Sequence, residues 1–159
     1  MASLKDLNAK YKALVDILVR DRESESLRIA FDHTTLVKSR VQGKSLDYQG
    51  QPFADYNQIY AKYGRRAKGF QSNKVDFNRS GRMWASVRPV VTESDLYSVK
   101  ILITSQNPED NIKLQGQYSK GNPKRGNIIR STETEIKVVA EAHKRRVLAA
   151  YKEAGFNIK

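Results

Sequence analysis

The amino-acid sequence predicts an α+β fold: N-terminal helices, a small antiparallel β-hairpin and a long C-terminal helix. Three observations carry that prediction. Leu4, Leu7, Tyr11, Leu14, Val15 and Leu18 recur at steps of three and four, the spacing of one helical face. Tyr97, Val99, Ile101 and Ile103 alternate with Ser98, Lys100, Leu102 and Thr104, as a half-buried strand does. Thr132 and Glu135 form a capping box before the last periodic stretch. The 159 residues suit a single domain, with a helical part over 1–43 and an α+β part over 44–159.

Taken in order, the first helix is expected over residues 3–20, broken by Asp21-Arg22-Glu23-Ser24-Glu25. A second helix places Leu27, Ala30, Phe31, Thr34, Val37 and Val41 on one face. It ends near Gly43, because glycine enters the left-handed conformation cheaply. Residues 44–54 form a loop around Gly50 and Pro52. Asp55 and Gln58 cap a short helix whose stripe is Tyr56, Ile59, Tyr60 and Tyr63, and Gly64 stops it. Residues 64–80 and 105–130 read as mobile basic loops, the latter with a helical turn at 109–118 after Pro108. A strand around 84–92 carries Pro89, which only an edge tolerates, and residues 92–96 turn the chain. The last helix, about 132–154, has Ile136, Val139, Ala140, Val147 and Ala150 as its core stripe and ends at Gly155.

Charge is distributed unevenly. The net +12 comes entirely from two segments: residues 62–88 hold eight cations against Asp76 alone, and residues 113–130 hold five cations and no acid. Clustered cations repel in a compact chain unless an anionic partner neutralises them. An acidic protein face and a nucleic-acid backbone both supply that charge, and well-solvated surface loops are the plainer explanation. The absence of cysteine excludes disulfides, thiolate metal sites and cysteine nucleophiles. Apolar runs such as Ala13-Leu14-Val15 and Ile101-Leu102-Ile103 fall far short of the ~20 residues of a membrane span. The polar start, Met1-Ala2-Ser3-Leu4-Lys5-Asp6, is expected to carry no secretion signal.

Enzyme signatures are missing. His33 and His143 lie on separate predicted helices, and His143 falls on the apolar stripe as a structural histidine would. No H-E-x-x-H or Cys/His ligand set exists, so neither a metal nor another cofactor is expected. Gly116 and Gly121 have the spacing of a phosphate loop, but Asn122-Pro123 stands where lysine and a hydroxyl residue are required. The acids Glu133 and Glu135 are explained by the helix dipole, which Lys144, Arg145, Arg146 and Lys152 complement toward the far end. The chain therefore reads as a non-enzyme.

Tyr56, Tyr60 and Tyr63 lead directly into Arg65, Arg66 and Lys68. Rings interleaved with cations can stack bases and neutralise phosphates. The same spacing also describes a packed helix face or a subunit contact, and packing is the preferred reading.

Several short motifs, read together, resemble a known family. They are Gly50-Gln51-Pro52-Phe53-Ala54, Tyr60-Ala61-Lys62-Tyr63-Gly64, Ser80-Gly81-Arg82-Met83-Trp84-Ala85-Ser86-Val87 with the hairpin after it, and Pro123-Lys124-Arg125-Gly126-Asn127-Ile128-Ile129-Arg130 entering the last helix. This succession resembles the tailed-phage head-to-tail joining and tail-completion proteins, also called phage virion morphogenesis proteins. The likeness spans about residues 26–150. It implies a structural virion protein of the phage neck, a ring-forming subunit that joins the head or portal to the tail. Its partners would be copies of itself, neighbouring neck, portal-adaptor or tail-tube proteins, and the backbone of packaged DNA. Its place would be the virion neck, after assembly in the bacterial cytoplasm.

On that reading Phe53, Tyr60, Tyr63, Arg82, Trp84, Arg125 and Ile128 are candidate subunit contacts. Phe53, Trp84 and Ile128 equally suit the core. Lys62, Arg65, Arg66, Lys68, Lys74, Lys120 and Lys124 are candidate contacts to DNA or an acidic neighbour. The alternative function is a small basic nucleic-acid-binding protein using the two cationic segments as one patch.

Overall fold

A computed structural model of the chain describes residues 3–75, 77, 81–95, 98–112 and 128–158. Its elements are α1 (Leu4–Lys38), α2 (Arg82–Ser86), the strands β1 (Val87–Ser94) and β2 (Val99–Ser105), and α3 (Glu133–Glu153). The fold is α+β, with a long N-terminal helix, a two-stranded antiparallel sheet and a C-terminal helix.

Helix α1 opens on a capping box: the Ser3 hydroxyl accepts from the Asp6 N–H, and the Asp6 carboxylate accepts from the Ser3 N–H, each at 3.1 Å. It then runs unbroken for 35 residues, so the expected interruption at 21–25 does not occur. That segment contains neither glycine nor proline, and its propensity cost is only a few tenths of a kcal/mol per residue. Its charges are also used. Glu25 pairs with Arg28 at 2.7 Å and with Arg146 of α3 at 2.8 Å, and Arg146 also reaches Asp32 at 3.1 Å. The polar run is an interhelical ion network rather than a loop.

At its end α1 widens into a π-helical turn, Ser39–Lys44. The residue that takes the left-handed conformation is Ser45 (φ 57°), not Gly43, because the wider turn carries the winding past the glycine. Residues 45–53 form the expected loop, closed by bonds from the Gln49 and Gln51 N–H groups to the Asp47 carboxylate.

The hairpin register pairs Val87 with Ser105, Pro89 with Ile103 and Val91 with Ile101, with a bulge between Val91 and Glu93. Each strand of a two-stranded sheet is an edge, which is why Pro89 is accommodated. Residues 84–86 belong to α2 rather than to the strand, since Gly81 (φ 75°) redirects the chain into a helical turn first. Residues 92–94, expected to turn the chain, belong to β1, and β2 begins at Val99. The Asp95 carboxylate accepts from the Ser98 N–H at 2.8 Å and from its hydroxyl at 2.9 Å. Residues 108–112 are helical, as the position after Pro108 suggests, and Tyr97 and 113–127 lie outside the described residues.

The core gathers where the end of α1 meets the 53–77 segment, α2 with β1, and the entrance to α3. It consists of Val37, Val41, Phe53, Val75, Trp84, Val87, Ile128 and Ile129. Phe53 meets the Phe77 ring edge-on at 4.9 Å. Of the first predicted apolar face of α1, only Leu14 is buried. One partner helix, α3, covers one side of α1 there, and the expected stripe points beside that contact.

Helix α3 begins with the predicted box: the Thr132 hydroxyl accepts from the Glu135 N–H at 3.1 Å, and Glu135 accepts from the Thr132 N–H at 2.8 Å. Gly155 (φ 85°) ends it. Its inner stripe keeps only part of the predicted one. Val139 is buried and Val147 and Ala150 are half-buried, but Ile136 and Ala140 face solvent. Glu135 and Arg146 occupy the inner face in their stead, Glu135 pairing with Arg40 of the π-helical turn and Arg146 with Asp32 of α1.

His33 sits half-buried on α1 with Nε2 against the Ser131 hydroxyl. Burial lowers its pKa; Arg40 adds to this and Glu135 opposes it. The unfolded chain takes up a proton near the ordinary imidazole pKa of about 6.5, before the folded chain does. This contribution to stability is complete above that pH and is lost as pH falls below it. Urea midpoints are expected to drop between pH 7.5 and 5, and His33→Gln is expected to flatten that dependence.

Candidate functional site

The segment after the core residue Phe53 builds a projecting turn. The Asn57 carboxamide, not Asp55, accepts the first free N–H, that of Ile59, at 3.0 Å. The chain then winds through a π-helical turn, Tyr60–Arg65, and a 3₁₀ turn, Arg66–Lys68, before Gly69 (φ 75°) ends it. Gly64 therefore does not stop the helix. A Cβ there would stand 2.5 Å from the Tyr60 ring, so the missing side chain is what lets that ring lie against the backbone.

Arg65 is the anchor of this turn. Only 2% exposed, it places its guanidinium 4.6 Å from the centre of the Tyr56 ring and donates Nε–H to the Gln71 carbonyl. Tyr56 in turn meets Tyr60 edge-on at 5.5 Å. The expectation that Arg65 contacts DNA or a partner is thus corrected: a buried guanidinium committed to a ring and a carbonyl cannot reach a phosphate. The stripe Tyr56, Ile59, Tyr60 and Tyr63 is corrected as well, because only Tyr56 turns inward. Ile59 is 71% and Tyr63 61% exposed, and Tyr60 is also exposed.

Around these side chains stand Lys62, Arg66 and Lys68, all exposed, with the Lys62 ammonium 4.9 Å from the Tyr63 ring centre. The result is an apolar and aromatic knob bordered by three cations. The described part of 64–80 is pinned rather than loose. Val75 enters the core, the Gln71 side chain bonds the Asn73 and Lys74 backbone, and Lys74 Nζ donates to the Gly43 carbonyl at 2.6 Å. Lys74 stays exposed but is tied to the end of α1.

The other predicted contact residues divide into three groups. Phe53, Trp84 and Ile128 are core residues of this chain, so they are not available as interface anchors. Arg82 is at the surface, but its guanidinium is engaged by the buried Asp110 carboxylate (3.1 Å) and by Glu109 (3.3 Å). The hydrogen bond to Asp110 raises its pKa further. Arg125, Lys120 and Lys124 lie outside the described residues.

A feature not legible in the sequence is the clamp at the other end of α1. Arg40 is buried and donates Nε–H to Glu135 (2.9 Å), Nη1–H to the Leu46 carbonyl (2.8 Å) and Nη2–H to the Arg130 carbonyl (2.7 Å). It fastens the π-helical turn, the 45–53 loop and the α3 entrance to one another. Beside it a groove of about 790 Å³ runs past Leu36, Lys44, Tyr48, Arg130 and Ile136. The Arg130 guanidinium stands 4.6 Å from the Tyr48 ring centre.

Among the described residues, no three His, Asp or Glu side chains converge as a metal site, and no helix is long and apolar enough to cross a membrane. What the exposed geometry can do is dock: the 59–68 knob combines apolar area with positive charge, suited to an acidic protein face with an apolar centre. No family model, curated protein or solved structure matches this chain.

Proposed function

We propose that the protein is a structural subunit of a tailed-phage neck, which assembles into a ring and joins the head or portal to the tail without catalytic turnover. The motif succession from Gly50 to Arg130 supports the family, and the shape of the 59–68 turn supports the mode of action. The observation that carries the reading is the knob itself. Ile59, Tyr60 and Tyr63 face solvent between Lys62, Arg66 and Lys68, held there by a buried arginine instead of being packed away. Exposed aromatic and aliphatic side chains clustered among cations are the composition of an interface centre with a charged rim.

The test is Lys62→Glu, Arg66→Glu and Lys68→Glu together in a phage that encodes this chain. The variant is expected to fold normally, because all three side chains are exposed, while the yield of joined particles falls by at least about tenfold as attraction turns to repulsion. Unchanged yield would overturn the assignment of this surface. The second reading, a nucleic-acid binder, draws on the same tyrosines among cations. It requires the free protein to bind DNA, with three phosphate contacts giving a log–log salt slope near −0.9 per phosphate on duplex.

A further inference from the structure

The first five turns of α1 leave an apolar stripe open to solvent. Leu4, Leu7, Tyr11, Val15, Leu18 and Val19 are between 39% (Val19) and 75% (Leu4) exposed. Spaced at three and four residues, they form one continuous strip beside the α3 contact, over roughly 27 Å of helix from Leu4 to Arg22. Among the described residues the Phe156 ring meets Tyr11 edge-on at 5.2 Å and Leu18 borders a groove along α3, and the strip is otherwise open.

The charges bordering this strip identify its occupant. At 100° per residue, Lys5, Lys12, Asp16 and Glu23 fall within an arc of roughly 40° along one flank. All four are exposed. In chain order they read positive, positive, negative, negative. A second copy laid antiparallel sets Lys5 near Glu23 and Lys12 near Asp16, and by symmetry each pair occurs twice. In that register Tyr11 falls level with position 17 of the copy, between its Val15 and Leu18, and Val15 falls level with position 13, between its Tyr11 and Val15. Two-fold symmetry brings this flank against its own copy, so the match is self-complementary, as an isologous contact requires. A parallel two-fold copy would instead turn this flank toward the opposite edge of the strip, so these four charges would not meet their counterparts.

We infer that this face of α1 is the self-pairing surface of an antiparallel, two-fold dimer of the chain. Such a contact differs from the head-to-tail contact that closes a ring, and the inference does not depend on the neck reading.

Light scattering on the eluting full chain tests it, with circular dichroism confirming that each variant keeps its helix. The wild type is expected at twice its 18.1 kDa subunit mass at tens of micromolar and low salt. Lys12→Glu, which makes both symmetry-related pairs repulsive, is expected to raise the dimer dissociation constant on the order of tenfold. Lys12→Glu with Asp16→Lys restores attraction and is expected to return the dimer, while refusing mixed dimers with the wild type. Val15→Glu with Leu18→Glu is expected to give a folded monomer. A wild type that stays monomeric, a dimer indifferent to Val15→Glu with Leu18→Glu, or a charge exchange that fails to restore pairing would each overturn the inference.

Discussion

Replacing Arg40 by alanine is expected to lower the free energy of unfolding by about 3 kcal/mol, at the lower end of what breaking a buried ion pair costs. The substitution strips Glu135 of its countercharge and removes the donors to the Leu46 and Arg130 carbonyls. All three acceptors line the adjacent groove, so water can reach part of what is left, which keeps the cost from being larger. Removing both charges should hurt far less than removing one. Arg40→Met with Glu135→Leu is expected to stay within about 1–2 kcal/mol of the wild type, because no buried charge is then left alone. Trp84, the chain's only tryptophan, is buried in the core and gives the fluorescence signal for urea unfolding in every variant that retains it. Equal losses in the single and double variants would show that the clamp acts through packing rather than charge.

Trp84→Ala is expected to cost about 3–5 kcal/mol, since the indole is the largest apolar side chain of a small cluster and its removal leaves a cavity. Val37, Val41 and Val87 of the same cluster come from α1, the π-helical turn after it and β1, so the loss should weaken the attachment of the sheet to the long helix. Trp84→Phe separates volume from polarity. The indole N–H meets no acceptor among the described residues, so no hydrogen bond is forfeited, and the cost should be about 1–2 kcal/mol from the reduced volume alone. Circular dichroism melts check both variants. A Trp84→Phe loss as large as that of Trp84→Ala would show that shape, not buried area, governs this core.

Both positions show how unevenly the sequence could be read. The pattern around Trp84 suits a core residue and an interface anchor alike, because one-dimensional spacing does not say whether a buried surface is intramolecular. Arg40 carries no signal at all. Its partner Glu135 lies 95 residues away, and Glu135 is already accounted for by the capping box with Thr132. The break predicted at 21–25 failed for a related reason. A polar run on a helix looks like a loop until the opposing Arg146 and its ion pairs are in view. Likewise Arg65, one cation among several in the sequence, proves to be the interior support for Tyr56, while Lys62, Arg66 and Lys68 remain outside.

By itself the sequence determined the α+β class, the cap at Thr132 that the side chains dictate, the alternation of β2, the stop at Gly155 and the concentration of positive charge in two segments. These depend on interactions within a few residues, and the chain carries them wherever it goes. Tertiary structure alone decided which aromatics are core and which are exposed, which cations are spent inside, and that an entire face of α1 lies open. Burial is a property of two surfaces, and the second surface comes from a part of the chain that no local pattern specifies.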